Sequence, residues 1–386
     1  MSNSRDSRRQ FLLQAAGLVI PTVSGVRLKL VQEFANALLL AVSPDGKRVC
    51  LYFDKHPQET FNWRGGFWKH DNTNAGIVLR VTELSSGKTV HSAKPRQKTW
   101  RASFFRDGER LYAETLAFRN GAAFVSQQLV IDLQDGTTQE HLRPEHPEQA
   151  SVYCVALQDR IVLATEADGK TRRVERLIRM QLPEYTTLTR APFPVRSERE
   201  QFGWETGVVI SVDRKTFAYG TDHTIVYRST EDLSVIWTRR IEDSYFGVWR
   251  VAISANQSRV AAAVIDTAFI EQQRKFYVGI YDAGDGSPLA RLEVNGTEGI
   301  DISPDGRLLA VGERIQSSET PETELAVSLY DISIGKPVAR VVHDRFRIRP
   351  HEGINSHFGL RGIQFTPDGR YLLTSSIRTK VWEFEG

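Results

Sequence analysis

Short apolar runs alternate with polar residues along most of this chain, at the two-residue period of strands rather than the 3.6-residue period of helices. The pattern is plainest at the end. Gly362-Ile-Gln-Phe-Thr-Pro-Asp-Gly-Arg-Tyr-Leu-Leu-Thr-Ser-Ser376 is followed by Arg378-Thr-Lys-Val-Trp-Glu-Phe384. This predicts a strand, a tight Pro-Asp-Gly turn, a second strand, a short break and a third strand. The same phrase occurs at Gly299–Gly312 and at Leu39–Phe53, so the chain is built of repeats.

The turn phrase recurs as Ser43-Pro-Asp-Gly46, Phe105-Arg-Asp-Gly108, Leu157-Gln-Asp159, Ser211-Val-Asp-Arg214, Ser254-Ala-Asn-Gln257, Ser303-Pro-Asp-Gly306 and Thr366-Pro-Asp-Gly369. Pro presets such a turn, Asp bonds its own backbone and Gly takes the positive φ. Successive copies are 62, 52, 54, 43, 49 and 63 residues apart. A four-stranded propeller blade needs about 40–45 residues, so most repeats hold one blade and an insertion. A second phrase marks the outer half of the repeats, at Ile77–Val90, Leu129–Gly136, Thr224–Leu233, Val278–Gly286 and Val327–Gly335. Each reads as a third strand turning into a fourth.

With these phrases the chain, over residues 27–386, resembles WD40 and related bacterial YVTN-type propeller repeats. Tyr281-Asp282 and Tyr330-Asp331 stand where that family often has Trp-Asp, Trp382-Glu383 is a looser echo, and the Gly-His pair is absent. The expected fold is all-β: a seven-bladed β-propeller of four-stranded antiparallel blades. The seventh repeat ends after three strands. Arg27-Leu-Lys-Leu-Val-Gln-Glu33 alternates polar with apolar, and is expected to be the missing outer strand of blade 7, closing the ring.

In such blades the first-to-second and third-to-fourth turns open on one face. The second-to-third turns and the blade-to-blade links open on the other. The long segments are nearly all of the second kind: Asp54–Ala75, Asp266–Phe276 and Glu313–Glu324 within blades, and Ala191–Trp204 and His343–Leu360 between them. Long loops gathered on one face of a compact fold mark a binding surface. The candidate ligand-binding residues are Trp63, Arg64, Trp68 and His70 in the first insertion, with Arg101, Arg250 and Arg361 near the starts of inner strands. Arginines ringing the channel mouth would match carboxylate or phosphate. The alternative is that each pairs with a neighbouring acid or stacks on Trp100 or Trp249.

Other chemistries find little support. His343, His351 and His357 match no compact zinc spacing, and neither a Gly-x-Ser-x-Gly elbow nor a Gly-rich phosphate loop occurs. No metal, cofactor or catalytic residue is assigned. Cys50 and Cys154 fall in non-adjacent blades, too far apart to bridge. Formal net charge is +3. Without residues 1–25 the chain keeps 47 basic and 46 acidic residues, so nucleic acid is not an expected partner. No run approaches the roughly 18 apolar residues of a membrane helix.

Ser7-Arg-Arg-Gln-Phe-Leu-Leu13 resembles the twin-arginine export motif, and an apolar stretch to Ile20 and small residues to Gly25 follow. An amphipathic N-terminal helix is the alternative. The expectation is an export signal over 1–25 and a propeller over 26–386, located in the periplasm or outside the cell. Its expected role is non-catalytic: the long-loop face binds a protein, peptide or glycan. The alternative is a propeller-type enzyme or subunit, lactonase or amine-dehydrogenase-like, with a site over the channel.

Overall fold

The structure, a computed structural model, describes residues 25–53, 78–95, 98–119, 122–141, 149–158, 160–168, 174–184, 186–193, 208–221, 223–241, 247–265, 276–316, 322–347, 360 and 362–385. These form seven four-stranded antiparallel sheets. Blades 1 to 6 span 37–93, 98–141, 149–192, 209–240, 248–294 and 300–347, each with its strands in chain order from the channel outward. Blade 7 takes Gly362–Phe365, Tyr371–Ser375 and Thr379–Glu385 from the end of the chain, and Arg27–Phe34 as its outermost strand. Leu28 faces Phe384, Leu30 faces Trp382 and Gln32 faces Val381 in that closing ladder.

Each blade buries both faces, and the strand period decides which neighbour each residue meets. In the second strand of blade 5, Val260, Ala262 and Val264 pack toward blade 4, while Ala261 and Ala263 pack toward blade 6. Among the described residues the apolar core divides into seven clusters, one between each pair of adjacent blades. The cluster between blades 7 and 1 joins Tyr371, Leu373 and Val381 to Ala37, Val49 and Leu51, with Phe34 against it.

The turn phrase is a hydrogen-bonded unit. Ser303 Oγ donates to Asp305 Oδ1 (2.6 Å) and accepts from the Leu308 amide (2.8 Å), while Asp305 also takes the Arg307 amide (3.0 Å). The same bonds tie Ser43 to Asp45 and Thr366 to Asp368. Gly46, Gly108, Gly306 and Gly369 close these turns with φ of 70–77°, and Arg160, Arg214 and Gln257 hold φ of 56–63° at the corresponding places.

Two expectations about connections are corrected. Glu313–Glu324 is largely not a loop: strands Leu308–Gln316 and Glu322–Asp331 continue their ladder to Gln316 opposite Thr323. The link written as His343–Leu360 begins later, because the outermost strand of blade 6 runs from Lys336 to Arg347. His343 is therefore a buried strand residue and not a loop residue. It joins blade 6 to blade 7. His343 Nδ1 lies 2.7 Å from Thr374 Oγ1, which also accepts from Trp382 Nε1 (2.9 Å), and Lys380 Nζ donates to the His343 carbonyl (2.5 Å). Nearer the channel, Asp301 in blade 6 accepts the Phe365 amide of blade 7 (2.7 Å). On the turn face Arg214 of blade 4 reaches past blade 3 to the Phe104 carbonyl of blade 2 (2.8 Å).

Ring closure gives the first prediction. Deleting residues 26–33 strips the ladder from Thr379–Glu385 and removes Val26 and Leu28 from the cluster between blades 6 and 7. The loss should be comparable with a domain's whole stability, roughly 5–15 kcal/mol. Thermal unfolding would contradict it if the deletion variant melted within a few degrees of the full chain.

The blade 6–7 seam gives the second. Burial pushes the Asp301 carboxyl up to about 7, against the pull of the Phe365 and Ile302 amides. The folded chain thus holds this proton where an ordinary carboxyl, at 3.8, has lost it. The stability Asp301 contributes is present at low pH and is lost as pH rises from about 4 to about 7. His343 has the opposite slope. Burial, then Lys380 and Arg378, push it down to about 3, so its contribution is lost as pH falls below its ordinary 6.5. Asp301→Asn keeps an acceptor without the charge and isolates the first slope. Its melting temperature should gain on wild type between about pH 4 and about pH 8. A constant difference across that range would contradict the assignment.

Candidate functional site

The two faces of the ring are built differently. On one, the first-to-second turns are short, and most of them touch the next blade's turn. Arg48 Nη1 donates to the Gly108 carbonyl (3.1 Å) and Arg48 Nη2 to Glu109 (2.9 Å). The Arg106 amide donates to Leu157 (2.9 Å) and the Asn256 amide to Pro304 (3.0 Å). A Cβ on Gly46 would lie 3.4 Å from Asp368, and one on Gly306 would lie 3.0 Å from Ser258 Oγ. Neighbouring turns are thus tied to one another across the blade boundaries.

The opposite face receives both ends of every long connection. Residues 54–77 leave blade 1 between Phe53 and Val78, which pair directly, and the Arg80 guanidinium lies 4.5 Å from the Phe53 ring centre at the base of that segment. Residues 266–275 leave blade 5 between Ile265 and Phe276, which also pair. Further long connections join Pro192 to Val209 and Arg347 to Gly362. Trp63, Arg64, Trp68, His70 and Arg361 lie outside the described residues.

Arg101 and Arg250 are described. Trp100 and Trp249 occupy matching bulges in the innermost strands of blades 2 and 5. A bulge re-aims the residues beside it. Arg250 lies with its guanidinium 5.5 Å from the Trp249 ring centre, and its Nε reaches the Glu298 carbonyl (3.4 Å) in the link to blade 6. Arg101 faces buried Glu114 across the ladder, and it too is engaged by its surroundings. The stacking-and-pairing alternative describes Arg250. Gly299 and Gly362, at the comparable places in blades 6 and 7, are required by close approach. A Cβ on Gly299 would lie 2.6 Å from the Leu360 carbonyl, and one on Gly362 would lie 2.9 Å from Ser375 Cβ.

A charged group that the sequence reading missed stands on the same face, on the extended hairpin of blade 6. Glu324 pairs with Arg340 and with Arg345 (2.9 Å to the latter). Burial opposes ionisation, but the two arginines hold the Glu324 carboxyl below its usual range. Beneath it, buried Glu313 accepts from Ser328 (2.7 Å) and from the Tyr330 hydroxyl (3.1 Å). Arg314 pairs with Glu298 (3.2 Å), and Arg378 bridges Glu33 (2.9 Å) to Asp344 (3.2 Å). Ser328 faces Arg340 and Glu324 faces Arg345 in the ladder. That register was the signal available, and reading 313–324 as a loop hid it. These charges are paired and positioned. Among the described residues no three His, Cys, Asp or Glu side chains gather to hold a metal ion. Cys50 is buried, and burial pushes its thiol up and away from reactivity.

No protein-family profile matches the chain, and no curated protein matches it. Among solved structures, 1007 chains are similar. One is the β-propeller domain of Myceliophteria thermophila Cps50 (Swd1), at 10% identity and a TM-score of 0.56, covering 92% of this chain and 99% of that one. A fold so widely shared carries no activity with it. Similarity in structure and the seven four-stranded sheets agree on one conclusion: this chain has the seven-bladed β-propeller fold.

Proposed function

We propose that the protein is an exported, non-catalytic, WD40-like propeller that holds a protein, peptide or glycan partner on its long-connection face. One observation carries this reading. Every first-to-second and third-to-fourth turn is short, whereas both ends of 54–77, 266–275, the 192–209 link and the 347–362 link open on the other face. A rigid ring with one loop-bearing face is a scaffold suited to recognition. Trp63, Arg64, Trp68 and His70 supply residue types that dominate binding hot spots, and paired charges such as Arg340–Glu324 can fix orientation at a rim. Export rests on Ser7-Arg-Arg-Gln-Phe11. A signal that passes folded chains suits a fold whose two ends must meet before the ring closes.

Site-specific photo-crosslinking in the producing cell tests both parts. A photoreactive residue at position 63 or 68 should yield a discrete adduct outside the cytoplasm. One at Lys47 or Arg307, exposed on the turn face, should not. Replacing Arg8 and Arg9 with Lys should leave the precursor in the cytoplasm and abolish the adduct. Adducts only from positions 47 and 307 would overturn the face. A full-length wild-type protein fractionating with the cytoplasm would overturn export.

A further inference from the structure

The link from blade 5 to blade 6, residues 295–299, holds a chemically labile pair. Asn295 is exposed, whereas Gly296 and Thr297 after it are buried. The chain has two Asn-Gly pairs, and the other, Asn120-Gly121, lies outside the described residues. An asparagine before a glycine can lose its side-chain amide to its own backbone. The nitrogen of the next residue attacks Cγ, and glycine has no side chain to obstruct that approach. In a folded chain the attack has three further conditions. The side chain must be free to turn, the attacking N–H must be unbound, and water must reach the site.

Asn295 meets all three. It follows Val294, the last residue of the outermost strand of blade 5, where pairing with Phe276 ends the ladder. Leu292 and Val294 point into the seam with blade 6, and Glu293 and Asn295 are exposed. Among the described residues the Asn295 side chain makes no hydrogen bond, and the Gly296 N–H donates to no group. Asn256 is the contrast. Its Oδ1 accepts from the Ser254 hydroxyl (2.8 Å), the Ser258 amide (3.0 Å) and the Ser258 hydroxyl (2.8 Å), and Gln257 follows it. Packing is what fixes the glycine. A Cβ on Gly296 would lie 3.3 Å from Glu313 Cα and 3.5 Å from the Gly312 carbonyl oxygen. The fold therefore keeps a glycine directly after an exposed asparagine.

We propose that Asn295 is a site of spontaneous deamidation in the folded chain. The Gly296 nitrogen bonds to Asn295 Cγ, the Cγ–Nδ2 bond breaks, and ammonia leaves with the proton that Gly296 gives up. The intermediate is a cyclic succinimide. Water opens it at either carbonyl, leaving an aspartate or an isoaspartate, whose backbone runs through Cγ and is longer by one carbon. The balance needs no other reactant: an amide and water become a carboxylate and ammonia. The conversion places a negative charge between Glu293 and Glu298 at the entry to blade 6, on the face that receives the long connections. Glu298 is anchored there, its amide on the Gly312 carbonyl (3.1 Å) and its carboxylate on Arg314 (3.2 Å). An isoaspartate lengthens the link just before that anchor. The site requires neither export nor a partner.

Site-resolved mass spectrometry of the full chain tests it. The folded protein is incubated in water labelled with heavy oxygen, sampled over time, and digested in ordinary water. A new carboxyl should appear at position 295 and carry one heavy oxygen. An isoaspartyl methyltransferase should label part of that product. The rate should rise with pH, because the Gly296 N–H must give up its proton. It should exceed the rate at Asn256 at least about tenfold, since the bonds to the Asn256 side chain must break first. Asn295→Gln, whose longer side chain closes its ring less readily, should abolish the product at this position and leave the melting temperature near wild type. Gly296→Ala should slow the conversion too; if that variant fails to fold, Asn295→Gln carries the test. An Asn295 still intact after Asn256 has converted, no heavy oxygen at position 295, a rate indifferent to pH, or conversion only in denaturant would each overturn the proposal.

Discussion

The structure depends on one ladder between segments from opposite ends of the chain. Six blades are made of strands consecutive in sequence, and each could assemble locally. The seventh cannot, because Thr379–Glu385 needs Arg27–Phe34 beside it. Without that pairing the last blade presents a free edge, which invites association with other chains. The clusters on either side of blade 7 would also lose Leu28, Val26 and Phe34. With it, each sheet is packed between two neighbours and the apolar clusters run unbroken round the ring. Ion pairs from Arg378 to Glu33 and Asp344 and from Lys380 to Glu33 sit at the end of this ladder. Being partly exposed, they orient the seam more than they stabilise it.

Closure also explains the division of labour between the faces. A ring of sheets holds its turns at a fixed spacing, so the short turns of one face meet side by side and exchange hydrogen bonds, as Arg48 does with Gly108 and Glu109. Length added there would break those contacts. Length added at the second-to-third turns or between blades meets no such ring. The long connections lie where the fold tolerates them.

The fold was legible because its signals are local. A Ser or Thr, an Asp or Asn two residues later and two flanking apolar runs mark five of the seven inner hairpins, and Phe105-Arg-Asp107 and Leu157-Gln-Asp159 keep the Asp alone. That signal survives where Arg214 or Gln257 takes the glycine's place, since Ser211–Asp213 and Ser254–Asn256 keep the side-chain bonds. The closing strand was legible from a deficit, three strands where four were needed. The candidate site could be named from the sequence only as a face, and Trp63, Arg64, Trp68, His70 and Arg361 lie outside the described residues. The hairpin of blade 6 reads as a loop because, beyond the core, its backbone ladder continues with polar residues such as Glu313, Arg314 and Glu324, and alternation no longer reports it. His343 and Asp301 were illegible for another reason. Their partners, Thr374 and Phe365, lie 31 and 64 residues away, and only the curvature of the ring brings them together.

The most direct test of ring closure is a disulfide placed across the ladder. Lys29 and Glu383 face each other, and directly opposed residues of antiparallel strands lie within bridging distance. Lys29→Cys with Glu383→Cys should form an intramolecular bond on mild oxidation of the folded chain, read as a gel shift reversed by reductant. Lys29→Cys with Lys380→Cys, out of register, should not. A ring closed as described gives the first bond alone. Failure of the first bond, equal formation of both, or bonding only between molecules would contradict it.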